Sequence, residues 1–116
     1  MRYICIRQQD EMDCGAACLA SVAGHYGLKM PVARLRRLAG TDREGTSIYG
    51  LVKAAEKLGF TAKGMKGDPG ALLSDIPLPA IAHVIKDGNI LHFIVLYEIT
   101  EERVTAADPA RGIVKY

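Results

Sequence analysis

The sequence predicts an α+β fold in one domain, a helical half over about residues 1–59 followed by an antiparallel sheet over about 60–116. Three observations predict it. The chain has 116 residues, one domain's worth, and at that size folding buries roughly 65% of the unfolded surface. Before Gly59, apolar residues recur at helical spacing between residues that cap and stop helices. After it, apolar runs of strand length alternate with turn sequences, Asp87-Gly88 among them.

Each element has its own signal. Asp13 is placed to cap a first helix from Cys14 to Tyr26, which Gly27 stops. Ala16, Ala17, Cys18, Leu19, Ala20, Val22 and Ala23 make this helix small and apolar nearly all round, the mark of a buried helix that packs closely. Pro31 suits the first position of a second helix, carried by Val32, Leu35 and Leu38 and ended by Gly40. Thr46 or Ser47 caps a third, with Ile48, Leu51, Ala55 and Leu58 on one face and Gly59 at its close. Phe60–Met65 reads as a short strand and Ala71–Ser74 as one helical turn among prolines and glycines. Ala80–Ile85 and Ile90–Ile99 read as a hairpin, and Arg103–Ala107 and Ile113–Tyr116 as further strands, with Asp108–Gly112 turning between them.

Composition excludes several classes. Fifteen basic against 13 acidic residues leave a net charge of +2, no electrostatic case for a nucleic-acid binder. No apolar run approaches the ~20 residues of a spanning helix, and the first residues lack the pattern of a signal peptide. Three cysteines without an export signal point to a reducing compartment and to thiols rather than disulfides.

Cys14 falls where a helix begins. A first turn offers unpaired N–H groups and the positive end of the macrodipole, and thiols at such places ionise readily. A nucleophilic cysteine also needs a base, and a base needs an orienting group. Of the histidines, His25 sits at a helix end, whereas His83 and His92 lie on strands. If Thr100–Glu102 forms a tight turn, residues paired across it have numbers summing to about 200–203. His92 then has Asp108 beside or diagonal to it, while His83 gains no such carboxylate. Gln8 and Gln9, in the loop before Cys14, are candidate donors to an oxyanion. Cys14, Cys18 and His25 could also be read as metal ligands, but Cys-x3-Cys-x6-His supplies only three and lacks the usual paired spacing.

The run from Gln8 to Cys18, QQDEMDCGAAC, resembles the opening motif of the bacteriocin-processing, double-glycine leader peptidases. These are papain-like cysteine peptidases that usually form the N-terminal cytosolic domain of peptidase-containing ABC exporters. Gly45-Thr46-Ser47 with Leu58-Gly59-Phe60 resembles the family's middle segment, and Leu78–His83 its first long strand. Leu91–Leu96 and Asp108–Gly112 resemble its histidine and aspartate segments, so the likeness spans nearly the whole chain.

The resemblance implies a papain-like fold with Cys14 as nucleophile, His92 as general base and acid, Asp108 as orienting carboxylate and Gln8, rather than Gln9, as oxyanion donor. It implies cleavage of a bacteriocin or pheromone precursor after two glycines, with no cofactor or metal, on the cytoplasmic side of the membrane. The implied partners are the precursor's leader peptide and the transmembrane and nucleotide-binding domains of an exporter. The other reading is a silent member of the family that only docks the exported substrate. Family domains usually run one or two strands further, so the expectation is a C-terminal end truncated at Tyr116. Arg34, Arg36 and Arg37 read as a solvated helix face, with contact to leader acids as the alternative.

Overall fold

A computed structural model describes residues 3–42, 45–62, 64, 77–86 and 90–116. A 3-10 turn, Glu11–Asp13, leads directly into α1 (Cys14–His25); α2 (Val32–Ala39) and α3 (Ile48–Lys57) follow. The second half is a meander of four antiparallel strands, β1 (Ala80–Lys86), β2 (Ile90–Ile99), β3 (Val104–Asp108) and β4 (Gly112–Lys115), side by side in chain order.

Alanine, glycine and serine make α1 narrow, and it is buried almost throughout, from Cys14 to Ser21 and again at Ala23. It packs on α2 and α3 on one side and on the sheet on the other, in a core that joins Cys18 and Leu19 to Leu35, Leu51, Phe93, Val95 and Tyr97. Residues alternate along β2 as a strand demands: Ile94 and Leu96 turn instead into a second apolar cluster with Ala106. Ser21, the polar residue within the buried run, is satisfied twice, donating to Ala17 O and accepting from Ile6 N.

The helix boundaries differ from expectation at two points. Asp13 does not cap α1 with its side chain. The chain is already turning at Glu11, so Asp10 is the cap, accepting from Met12 N at 2.9 Å, while the Asp13 carboxylate reaches back to Asp10 N. Pro31 stands at the N-cap of α2 with extended ψ rather than at its first helical position. Ser47, not Thr46, caps α3, through Gly50 N at 3.0 Å. The strand expected over Phe60–Met65 does not form at 60–62 or 64, where Phe60 and Ala62 pack irregularly against the core. Strands need a pairing partner, and among the described residues this segment joins no ladder of the sheet. The helical turn expected at Ala71–Ser74 lies outside the described residues.

Gly50 is where α3 crosses α2. A Cβ there would run into the carbonyl oxygen of Ala39, and backbone cannot swing aside as a side-chain tip can. Gly50→Ala should therefore destabilise the fold by about 2–3 kcal/mol, measured as a lower urea midpoint at unchanged m-value. Equal stability of the two proteins would mean that the helices separate freely at this crossing.

Candidate active site

Cys14 opens α1 and is 7% exposed. Its neighbour Gly15 is close to two side chains: a Cβ there would lie 3.0 Å from Thr46 Cβ and 3.2 Å from Phe93 Cδ2. The start of α1 is thereby set against β2 at Phe93, the residue after His92. His92 is 5% exposed, and its Nε2 lies 2.6 Å from Asp108 Oδ1 on β3.

The register explains that meeting. Val95 pairs with Ala107 and Leu96 with Ala106, numbers that sum to 202; past a bulge at Tyr97 the sum is 203. Extending the first register puts Asp108 opposite Ile94, so the carboxylate meets the imidazole on the diagonal. Asp108 serves its turn as well: Oδ1 also accepts from Ala110 N at 2.9 Å, and its carbonyl accepts from Arg111 N. One buried oxygen thus ties the ring to the bend that follows β3.

The segment before Cys14 is fastened to that bend. Gln8 N donates to Pro109 O at 2.9 Å, and the Arg7 guanidinium donates to Pro109 O and Ala110 O. Gln8 is partly buried and Gln9 exposed. The Gln8 Oε1 is buried with no hydrogen-bond partner among the described residues; the part of this amide able to serve an oxyanion is its N–H donor. The two glutamines, equivalent by composition, are separated by where the backbone points them.

The other two histidines stand apart from this carboxylate. His83 faces Phe93 across the β1–β2 ladder and stacks on its ring at 4.0 Å. Burial, then the nearby His92, lower its pKa. His25 packs its ring against Tyr26 and Tyr97 at the far end of α1. Among the described residues no group of three or more His, Cys, Asp or Glu side chains could hold a metal, so Cys14, Cys18 and His25 do not converge.

Sequence reasoning missed one feature of the site. Arg36 does not simply project into solvent: its Nε lies 2.9 Å from Asp13 Oδ1, and its Nη1 4.0 Å from Asp10 Oδ2. A pairing between a helix arginine and an acid more than 20 positions earlier leaves no local pattern to read.

The thiols differ in surroundings. Cys18, fully buried, has its pKa pushed well above the ordinary thiol value by burial first, then by Cys14, Asp108 and Cys5 nearby. Cys5, whose Sγ lies 3.7 Å from Asp108 O, is raised too, again chiefly by burial. Both stay protonated at neutral pH, and alkylation depends on the thiolate. Iodoacetamide at pH 7.5 should label Cys14 first in the native protein, with Cys18 protected until unfolding, as peptide mass mapping would record. Labelling of Cys18 at the rate of Cys14 would contradict the burial described.

Comparisons with known proteins identify the family and the fold. The model of the peptidase C39 family matches residues 2–116. The chain is 47% identical over 111 residues to the lactococcin-G-processing and transport ATP-binding protein LagD of Lactococcus lactis subsp. lactis, covering 95% of this chain and 16% of that one. The chain thus spans about one sixth of the length of such curated relatives. Among solved structures, the peptidase domain of Streptococcus ComA, a bi-functional ABC transporter involved in quorum sensing, superposes with a TM-score of 0.90 at 37% identity, over 99% of this chain and 86% of that one. A double glycine motif protease from an AMS/PCAT transporter, solved with its leader peptide, gives a TM-score of 0.86 at 34% identity over 97% and 77% of the two chains. Helices and a four-stranded antiparallel sheet arranged as in those domains, and a family match over almost its whole length, place the chain in the peptidase C39 family of cysteine peptidases.

Proposed function

We propose that residues 1–116 act as one peptidase domain that cleaves a precursor's leader peptide after a double glycine. The observation that carries this reading is the 2.6 Å bond between His92 Nε2 and Asp108 Oδ1, buried beside the helix start that bears Cys14. With Nε2 given to the carboxylate, Nδ1 is the ring nitrogen left to serve the thiol.

Cys14 Sγ, its proton passed to His92, attacks the carbonyl carbon of the second glycine. The Gln8 amide and the Cys14 N–H hold the oxyanion. The tetrahedral adduct collapses as His92 returns the proton to the leaving amine, and the C–N bond breaks. His92 then takes a proton from water, whose oxygen attacks the thioester and frees the leader's carboxylate and the thiol. Asp108 keeps the ring in the required tautomer throughout.

The relatives named above process and transport, which supports a domain working beside the transmembrane and nucleotide-binding domains of an ABC exporter. Among the described residues no helix is long and apolar enough to cross a membrane, and the domain acts on the cytoplasmic side, where precursors are made. The substrate is a bacteriocin or pheromone precursor whose leader docks as an amphipathic helix.

The direct test is incubation with a double-glycine leader peptide, followed by mass spectrometry. Cleavage after the second glycine that vanishes in Cys14→Ala supports the reading; no cleavage, with the leader still bound, would leave a docking domain. A site that admits only glycine leaves no room for a Cβ. Replacing either glycine with alanine should then lower kcat/KM by roughly 5- to 150-fold, the equivalent of about 1–3 kcal/mol of unrelieved clash. Equal rates for Gly-Gly, Ala-Gly and Gly-Ala peptides would remove the double-glycine specificity.

Asp108→Asn should fold and lose roughly 10- to 1,000-fold in kcat, less than the about 10⁴-fold of the serine-protease equivalent, because a thiol leans less on its base. His92→Ala should be at least as damaging, and steady-state rates would show it. A folded His83→Ala with the larger loss would transfer the base role to His83.

A further inference from the structure

We propose that Asp13 and Arg36 are a positioning pair that holds the loop from Gln8 to Asp13, and with it the Gln8 amide, against the start of α1. The inference rests on the reading of Gln8 as oxyanion donor given above. Asp13 precedes Cys14 directly, and its side chain is only 3% exposed. Its Oδ2 accepts from the backbone N–H of both Gln9 and Asp10, each at 3.3 Å. Its Oδ1 faces Arg36 Nε at 2.9 Å, out of line for a hydrogen bond, so the contact pairs charges.

A buried carboxylate without a cation seeks water, and in seeking it would leave its two long backbone bonds. Arg36 removes that incentive from outside the loop: it is anchored on α2, whose Leu35 is fully buried in the core. The loop is held at the other end by Gln8 N on Pro109 O. Gln8 thus sits between a tie to the Asp108 bend and a tie, through Asp13, to α2. Catalytic groups lose rate steeply with small displacements, so loosening the second tie should be felt at Gln8. Neither Asp13 nor Arg36 touches the reacting atoms; both act through the loop.

The test is a double-mutant cycle with the leader peptide as substrate, measuring kcat, KM and the circular dichroism melt. Arg36→Gln should lower kcat by about tenfold with KM within about twofold, a fraction of the roughly 100-fold or more that loss of an oxyanion donor costs. In a Gln8→Ala background the same change should cost less than about twofold, since the group it positions is gone. Arg36→Lys, which keeps a cation on a half-exposed side chain, should recover part of kcat; measured in both backgrounds, it supplies the same comparison if the glutamine variant does not fold. Losses that multiply independently in the two backgrounds, or a rise in KM at constant kcat, would overturn the positioning role while leaving the peptidase reading intact. A parent chain with no Cys14-dependent cleavage would overturn the reading beneath it.

Discussion

Gly15 stands where a larger residue would press on the side chains of Thr46 and Phe93, and this close approach sets the start of α1 against β2. Cys14 is one residue before the contact on α1, and His92 one residue before it on β2. The two are thereby set by the packing of the Gly15 backbone against the side chains of Thr46 and Phe93. The small residues of α1 extend the same constraint along the helix: Ala16, Ala17, Ala20 and Ala23 let it lie close to the sheet and to its neighbours. Interiors packed at crystal-like density transmit displacement rather than absorb it. The spacing of thiol and imidazole is therefore a property of the whole core.

Two buried aspartates complete the site by the same device. Asp108 bonds the N–H of its own bend at Ala110 and the ring of His92. Asp13 bonds the N–H groups of its own turn at Gln9 and Asp10 and faces the guanidinium of Arg36. In each case a carboxylate that would be costly to bury alone is satisfied by local backbone and by one group from a distant element. The local bonds shape the turn, and the distant partner fixes the turn's place in the molecule.

Much of this was legible in the amino-acid order because it depends on local patterns. Caps and glycines mark the helices to within a residue or two, and strand runs around a short turn let the partner of His92 be found by counting. The bulge at Tyr97 shifted the sum by only one, so the count survived it. What escaped depends on where chain segments end up. Phe60–Ala62 has strand-like residues yet pairs with no strand among the described residues. Arg36 looks like its neighbours Arg34 and Arg37 until α2 is packed beside the 3-10 turn. Asp13 carries the residue type of a helix cap, but a turn begun three residues earlier handed that task to Asp10. Gln8 and Gln9 could be told apart only through resemblance until the loop's direction was known.

The stretch ahead of α1 has a part in the site out of proportion to its lack of regular structure. Ile4 O accepts from the Tyr97 hydroxyl, Ile6 N donates to Ser21 Oγ, and Arg7 and Gln8 bond the carbonyls beyond Asp108. Burial first, and nearby thiols in lesser part, hold the Tyr97 phenol up to about 12, so it remains a donor to Ile4 at any pH the protein meets. Ile4 to Gln8, Asp10 and Asp13 are tied to α1, to β2, to the bend after β3 or to α2. A short segment pinned at both ends has few conformations left to lose. Its one buried polar group without a hydrogen-bond partner among the described residues, besides the charge-paired oxygen of Asp13, is the Gln8 amide oxygen. The ordering cost of placing the backbone that carries that side chain is thus met during folding, by bonds remote from any substrate, and need not be met again at each turnover.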